Sequence, residues 1–349
     1  MTTITERVIR DDYPDRKATG QTFDDEVEID DVDGFEMIRC RFTYDTSNGK
    51  VLKLEKCKNI RLTECKFPRK DASSHGDDSL DVVFLDNNCE DIRIKRCHFE
   101  GKENKGNFID IKDGSKIRIE DCDFSNQTYT GENGGEAILI GRGENHGSRS
   151  FRTVVTGCTF TNCSGDPEVI SIKQSESEIS DNTFEDWERG NVSIRFGNRN
   201  TIKKNTFKGS GGGIVVRGER NEILENTHIG NNNQSHDYDF RPITLECGND
   251  EGYAKAKDST IDNNTFENCR GPCIVLGQER RDRKPSGNKF RNNILKADDV
   301  DSTFLIVPDH IGNNTEKKRV RDANTYRDNE LRGRHTRPGI LEGVSGAFK

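Results

Sequence analysis

Three cationic side chains recur at equal spacing in this 349-residue sequence. Lys173, Arg195 and Arg217 are 22 residues apart, and each directly follows an aliphatic residue in a short β-rich run. Successive residues of a strand face opposite sides, so we expect the aliphatic residue to point inward and the cation outward. Stacked cations repel one another and folding does not require them, whereas a solvated charge run normally mixes signs. The spacing therefore predicts a site for an anionic ligand.

Acidic and amide side chains come shortly before the first of these cations. Asp166 and Glu168 precede Lys173 by seven and five residues, and Asn133 lies in the segment that leads into the preceding repeat. Carboxylate and amide oxygens are the ligands that Ca²⁺ takes in proteins. We predict a calcium site at Asn133, Asp166 and Glu168. The alternative is an exposed turn whose acids pair with the nearby lysine.

A short polar–x–aromatic unit recurs along the chain and indicates which elements position these side chains. The units begin first with cysteine and later with asparagine, at Cys40, Cys65, Cys97, Cys122, Cys158, Asn182, Asn205, Asn226, Asn264, Asn288 and Asn324. The recurring interval is 21–25 residues, and the longer intervals fit one repeat plus an inserted loop. A fixed period in this range is typical of a solenoid.

The pattern between these units favours strands over helices. Two or three short β-rich runs occur in each repeat, and we find no sustained helical period. We predict an all-β protein with a single-domain right-handed parallel β-helix of about 10–11 coils. The β-helix covers residues 21–332, with residues 1–20 as an N-terminal cap or extension and residues 333–349 as a C-terminal tail.

The cysteines and asparagines of the repeat are expected to form ladders inside this solenoid. Stacked asparagine amides hydrogen-bond to those of neighbouring coils. Cys57 and Cys89 each lie eight residues before a cysteine of the repeat and are expected to form a second rung. Disulfides or metal binding are the alternative for the cysteines, above all for Cys269 and Cys273.

Composition narrows the class of protein. Only 30% of the residues are hydrophobic and the formal net charge is −8. No segment approaches the roughly 18 apolar residues of a membrane-spanning helix, and a generic DNA-binding domain would be basic. The first seven residues lack the apolar run of a secretory signal, which leaves open both an intracellular protein and a secreted form without its leader.

Four segments of the sequence resemble polysaccharide lyase family 6, the calcium-assisted alginate lyases and chondroitinase-B-like enzymes. They are Gly131–Gly141, Asp166–Lys173, Ser193–Gly197 and Gly212–Gly218. The resemblance implies that Lys173 is the Brønsted base that removes the C5 proton of a uronate. It also implies that Arg195 stabilises charge and assists departure of the C4 oxygen, and that Asn133, Asp166 and Glu168 bind calcium.

The sequence departs from the family pattern at two positions. The family often has histidine after the arginine, where this chain has Phe196. Arginine often follows Gly-Gly-Ile directly, whereas Arg217 comes two residues later, and we interpret it as a contact for the substrate carboxylate. His146 and Tyr238 lie in loops expected to border the groove, and we assign them to substrate binding.

We therefore predict a lyase that cleaves alginate or a related acidic polysaccharide by β-elimination, with Ca²⁺ as cofactor. It is expected to act as a monomer without nucleic acid or membrane partners. One alternative is a lyase of dermatan, chondroitin or another polyuronate. A glycoside hydrolase would need paired carboxylates, and Asp86 and Asp110 form no pair in register. A non-catalytic β-helix that binds acidic polysaccharide would leave the three cations unexplained.

Overall fold

The computed structural model describes residues 1–43, 49–68, 79–128, 134–143, 148–187, 189–209, 211–232, 240–249, 253–277, 283–342 and 344–349. The chain divides into two compact units. The first comprises Met1–Arg142 and Ser150–Ser171, and the second comprises Gly143–Arg149 and Ile172–Lys349. Each unit contains three sheets whose neighbouring strands run parallel. The predicted parallel β-helix is confirmed.

In the first unit, the strands that follow one another along the chain belong to the three sheets in turn. The first sheet has Thr2–Ile4, Val27–Asp30, Gly49–Glu55, Leu80–Asp86, Ile109–Ile111, Ile138–Ile140 and Glu168–Ile172, the last of which ends at the first residue of the other unit. The second sheet has Lys17–Thr19, Asp33–Ile38, Lys58–Thr63, Cys89–Glu90, Arg93–Lys95, Gly114–Ser115, Arg118–Glu120 and Val154–Thr156. The third sheet has Thr22–Phe23, Arg41–Phe42, Lys66–Phe67, His98–Lys102, Asp123–Gln127 and Thr159–Cys163.

The second unit repeats this order. Its first sheet has Asn191–Ile194, Ile214–Val216, Ile243–Leu245, Gly271–Leu276, Ser302–Ile306 and Thr336–Gly339. Its second sheet has Glu178–Ser180, Thr201–Lys203, Glu222–Leu224, Thr260–Asp262, Lys289–Arg291 and Thr325–Arg327. Its third sheet has Thr183–Glu185, Thr206–Lys208, Thr227–Ile229, Thr265–Glu267, Ile294–Lys296 and Glu330–Arg332.

Helices are few among the described residues. Helix α1 (Glu6–Asp12) follows the first strand, and its N-cap Thr5 accepts a hydrogen bond from the N–H of Val8. Helix α2 (Asn314–Asp322) begins after Asn313, whose side chain accepts from two backbone N–H groups. A 3₁₀ turn, Asp309–Ile311, comes just before α2. The two termini predicted as cap and tail also contribute strands, Thr2–Ile4 and Thr336–Gly339.

Aliphatic stacks fill the interior beneath the first sheet. In the second unit, Ile194 pairs in register with Val216, Val216 with Leu245, and Leu245 with Leu276. All four are fully buried. Because the side-chain period of a strand is two, this register sends the residue after each of them to the opposite face. The register of the core therefore fixes the positions of the outward residues.

Aromatic rings stack under the third sheet. In the first unit the stack runs through Phe23, Phe42, Phe67, Phe99, Phe124 and Phe160, with adjacent centroids 4.6–5.2 Å apart. In the second unit His228 takes a phenylalanine position between Phe207 and Phe266, at centroid distances of 4.6 and 5.4 Å. Burial lowers the pKa of His228 to about 3, so the ring is neutral in the folded protein. His228 therefore acts as a neutral member of the aromatic stack.

The cysteine ladder of the first unit is structural, as predicted. All eleven cysteines of the chain are buried, and none forms a disulfide. The Sγ of Cys97 donates to the carbonyls of Leu62 and Lys95 at 3.6 and 3.5 Å. Cys57 and Cys89 lie at the other corner, where Cys57 O accepts from Glu90 N at 2.9 Å. This confirms the second rung.

The asparagine ladder of the second unit differs from the prediction in its last two members. Asn264 bonds to Asn293, and Asn293 to Asn329, through amides 3.0 Å apart. Asn288 and Asn324 belong instead to the corner before the second sheet, in the series Asn200, Asn221, Ser259, Asn288 and Asn324. The prediction was wrong there because both corners carry asparagine. At the corner before the second sheet, Asn288 and Asn324 are also followed two positions later by an aromatic residue.

Candidate active site

The structure places the three predicted cations on one face of the second unit. Arg195 N donates to Ile172 O at 2.8 Å, and Arg217 N donates to Ile194 O at 3.0 Å. These bonds put Lys173, Arg195 and Arg217 at equivalent positions of successive coils, and strands of one sheet are about 4.8 Å apart. Lys173 and Arg195 are half-buried, and Arg217 is buried. We call these three residues the cation column.

Glu246 follows the column on the next coil. Its N–H donates to Val216 O at 3.0 Å, and its buried carboxylate lies 3.8 Å from Arg217 Nη2. The separation is long for a charge-assisted hydrogen bond, which is ordinarily 2.7–2.9 Å. Glu246 therefore lies near enough to orient Arg217 electrostatically without forming a tight ion pair.

Tyr253 is a site residue that the sequence reasoning missed. Arg195 Nη2 donates to Tyr253 Oη at 3.0 Å. The guanidinium carbons of Arg195 and Arg217 lie 5.8 and 5.6 Å from the centre of the Tyr253 ring. One aromatic ring thus contacts two members of the cation column, within the distance at which cation–π attraction operates.

The loop that carries Tyr253 is fixed at its base. Tyr253 N donates to Asn249 Oδ1 at 3.1 Å, and Asn249 N donates to Tyr253 O at 2.9 Å. A Cβ at Gly248 would lie 2.4 Å from Lys255 N, so only glycine permits this close approach of the backbone. Gly248 also exchanges two backbone hydrogen bonds with Arg283, at 2.8 and 3.1 Å.

Phe196 occupies the position where the resembling family often has histidine. Its ring stacks on Tyr253 with a centroid separation of 5.1 Å and an interplanar angle of 18°. Gly143 lies at the edge of Phe196, where an added Cβ would come within 3.1 Å of the ring. Phe196 therefore supplies a packing surface for Tyr253, and an imidazole is absent from that position.

The predicted calcium ligands lie in the first unit. Asp166 is buried and accepts hydrogen bonds from the N–H groups of Gly134, Gly135 and Glu168, at 2.8, 3.3 and 2.9 Å. Glu168 is also buried, and its Oε2 accepts from Ser171 Oγ at 2.5 Å. Asn133 lies outside the described residues.

The electrostatics of this acidic pair are compatible with a cation. Burial is the largest effect on the pKa of Asp166 and raises it. The charge of Glu168 acts in the same direction, and the backbone donors oppose both. Hard oxygen donors and excess negative charge fit Ca²⁺. Across the described part of the chain, however, no three histidine, cysteine, aspartate or glutamate side chains gather as a metal site.

The corresponding face of the first unit carries paired charges. Lys53 lies 2.9 Å from Glu28 and 3.1 Å from Glu55, and Lys112 lies 2.7 Å from Asp86. Arg142 forms an ion pair with Asp110, whose carboxylate is almost fully buried. This face therefore neutralises its cations with carboxylates. The two remaining candidates, His146 and Tyr238, lie outside the described residues.

The sequence and the fold of this chain are similar to those of β-helix proteins. A protein-family model described as "Right handed beta helix region" matches residues 145–304. The chain has a right-handed β-helix fold. Among curated proteins, none matches this sequence. No helix in the described ranges is long and apolar enough to cross a membrane.

Solved structures of polysaccharide lyase family 6 share this fold. A mannuronic acid specific family 6 lyase from human gut microbiota has a TM-score of 0.71 and 18% identity, over 99% of this chain and 90% of that one. The family 6 alginate lyase AlyGC has a TM-score of 0.71 and 19% identity over 95% of this chain. This chain spans about half of AlyGC, 48% of its length.

A phage protein has the same architecture. The tailspike protein of E. coli bacteriophage HK620, solved in complex with a pentasaccharide, has a TM-score of 0.58 and 12% identity. The alignment covers 96% of this chain and 59% of the tailspike. At identities this low, structural similarity establishes the fold alone. One fold can host more than one function.

Proposed function

We propose that this protein is a polysaccharide lyase that cleaves a uronic acid polymer by β-elimination, with alginate as the first substrate to test. The observation that carries the proposal is the cation column of Lys173, Arg195 and Arg217 on successive coils. Cations gathered on one face attract an anionic polymer. The similar structures of family 6 are lyases, which supports the same reaction class.

In this proposal Lys173 acts as the base. Its neutral amine removes the proton at C5 of the uronate, which is α to the carboxylate. Proton removal builds negative charge on the carboxylate oxygens, and preorganised cations stabilise that charge as it develops. Positioned acid–base groups of this kind typically contribute about 10²–10⁴-fold to a rate.

The two arginines bind and orient the reacting sugar. Arg217 is buried, and its planar guanidinium suits two-point contact with a carboxylate. Arg195 stabilises negative charge near the bond that breaks, between C4 and its oxygen. Asn133, Asp166 and Glu168 would hold a Ca²⁺ ion, which supplies positive charge to a carboxylate when bound. The hydrogen bonds from Gly134 and Gly135 orient Asp166 for that role.

The test is direct incubation with defined polymers. Purified protein is mixed with alginate, pectate or dermatan, with added Ca²⁺ or with chelator. The ultraviolet absorbance of the new C4=C5 double bond is then followed. We expect absorbance to rise with alginate, and the rate to fall with chelator if calcium has the assigned role.

Three results would overturn the proposal. If no polymer gives unsaturated product under either condition, the protein is not a polyuronate lyase. Binding of oligosaccharide without new reducing ends would identify a non-catalytic carbohydrate-binding protein. New reducing ends without the double bond would indicate hydrolysis.

A further inference from the structure

Tyr253 accepts a hydrogen bond from Arg195, and the direction of this bond bears on the chemistry of the phenol. A guanidinium has five N–H donors and no acceptor. In the 3.0 Å bond from Arg195 Nη2 to Tyr253 Oη, the phenol oxygen is therefore the acceptor. This bond therefore uses the phenol oxygen as acceptor and does not use the phenolic O–H as donor.

Tyr253 lies close to two positive charges and is held by its neighbours. Two guanidinium groups lie within 6 Å of the ring centre, at 5.8 Å for Arg195 and 5.6 Å for Arg217. Preorganised cations stabilise negative charge that develops close to them during a reaction. The Phe196 ring stacks on Tyr253, and the Asn249 side chain holds its backbone, so the phenol is held in place before substrate arrives.

We propose that Tyr253 is the general acid that protonates the departing C4 oxygen. The inference rests on the proposed lyase function. It assigns to Tyr253 the protonation of the C4 oxygen, whose departure the family resemblance connects with Arg195. Arg195 then acts as the charge partner of the phenolate. A phenol suits this role better than a guanidinium, because ordinary phenols lose a proton near pH 10 and guanidinium groups only above about pH 12.

The step balances with groups that the second unit contains. The Lys173 amine takes the C5 proton, and the C5–H electron pair becomes the second bond of C4=C5. The bond between C4 and its oxygen breaks with its electrons going to oxygen, which takes the proton of Tyr253. Lys173 is left as ammonium and Tyr253 as phenolate. Proton transfer from the ammonium to the phenolate through solvent restores both groups.

The test compares two tyrosine variants in the complete chain. Tyr253→Phe keeps the ring that contacts both arginines and Phe196 but removes the proton. Tyr326→Phe is the matched control, because it removes a buried hydroxyl that has no hydrogen-bond partner. We expect kcat on the polymer to fall about 10²–10³-fold in Tyr253→Phe, with KM little changed. Tyr326→Phe should retain the wild-type rate.

A second substrate separates proton donation from a structural role. A uronate with 4-nitrophenol at C4 has a leaving group that departs without protonation. On this substrate we expect Tyr253→Phe to approach the wild-type rate. Equal losses on both substrates would show that the hydroxyl positions Arg195 and does not donate a proton, and would overturn the inference.

The two levels of proposal fail in different ways. If the wild-type protein releases no unsaturated product from any polymer, the lyase function is wrong and the role of Tyr253 falls with it. If the wild-type protein is active and Tyr253→Phe cleaves the polymer equally fast, the lyase function stands. In that case only the assignment of the general acid is overturned.

Discussion

The interior ladder and the outer cation column of the second unit occupy the same coils and treat polar groups in opposite ways. Inside, the amide of Asn226 accepts from Asn205 and donates to Asn264 and Ile202 O, at 2.9–3.0 Å. Outside, cations lie on successive coils with an aromatic ring against two of them. The interior satisfies its polar groups with each other, whereas the outer face brings three cations onto successive coils.

This difference assigns stability and chemistry to different residues. A buried hydrogen-bonded ladder stabilises the fold because leaving a buried donor or acceptor unpaired costs about 1–3 kcal/mol. Outward cations do little for the fold, since repulsion offsets their local contacts. We therefore expect substitutions in the cation column to change activity without changing stability, and substitutions in the ladder to do the reverse.

The largest expected effect is on the activity of Lys173→Ala. Removing the proposed base should lower kcat/KM by at least about 10³-fold, or about 4 kcal/mol of transition-state stabilisation. Lys112→Ala is the matched control, because Lys112 lies on the same face of the first unit and pairs with Asp86. Both variants should unfold at the denaturant midpoint of the wild type. If Lys173→Ala fails to fold and Lys112→Ala folds, the cation column contributes to stability, and the separation of activity from stability is wrong.

The next effect is on the stability of Asn226→Ala. This change removes the acceptor of Asn205 and the donor to Ile202 O, all fully buried. We expect the free energy of unfolding to fall by about 3 kcal/mol, with unchanged kcat per folded molecule. Chemical denaturation followed by far-ultraviolet circular dichroism measures it.

The corresponding change in the cysteine ladder sharpens this result. Cys97→Ala removes only weak thiol bonds of 3.5–3.6 Å and should cost about 1–2 kcal/mol less than Asn226→Ala. An equal or larger loss at Cys97 would show that ladder stability comes from packing volume and not from hydrogen bonding.

His228→Phe tests the ladder through its pH dependence. Burial lowers the pKa of His228 to about 3, whereas an unfolded histidine titrates near 6.5. The unfolded state therefore binds more protons below about pH 6.5, and the folded state loses stability as the pH falls. At about pH 5 this amounts to about 2 kcal/mol. The stability advantage of His228→Phe should grow by that amount between about pH 7.5 and pH 5, and a constant difference would contradict the burial effect.

The smallest effect belongs to exposed ion pairs away from both regions. Lys208 lies 3.1 Å from Glu185, and both side chains are substantially solvent-accessible. Lys208→Ala should change the free energy of unfolding by less than about 1 kcal/mol and leave polymer cleavage unaltered. A large change in the free energy of unfolding or in polymer cleavage would show that the surface of the third sheet also contributes to stability or to activity.

Repetition made most of the fold predictable from sequence. The Cys and Asn units mark one corner of each coil from Cys40 to Asn264, because a buried rung tolerates few residue types. The prediction failed at Asn288 and Asn324, where two corners carry the same residue type and only pairing with Asn264 distinguishes them. The true rung, Asn293, is followed two residues later by Leu295, which broke the aromatic signal.

The site was predictable only where it follows the repeat. Lys173, Arg195 and Arg217 lie at a fixed register, so strand alternation alone located them. Tyr253 comes from a loop outside the repeat, and its position depends on Asn249 and on the backbone of Gly248. No periodicity points to such a residue. The calcium site at Asn133, Asp166 and Glu168 stays a prediction, because Asn133 lies outside the described residues.

The pair of backbone hydrogen bonds between Gly248 and Arg283 has a consequence for engineering. They tie the segment that carries Tyr253 to a second segment 35 positions further along the sequence. Transplanting the tyrosine loop alone into another β-helix would leave both backbone partners behind. The two segments depend on each other for backbone hydrogen bonds, so a graft of Tyr253 into another protein must transfer both segments together.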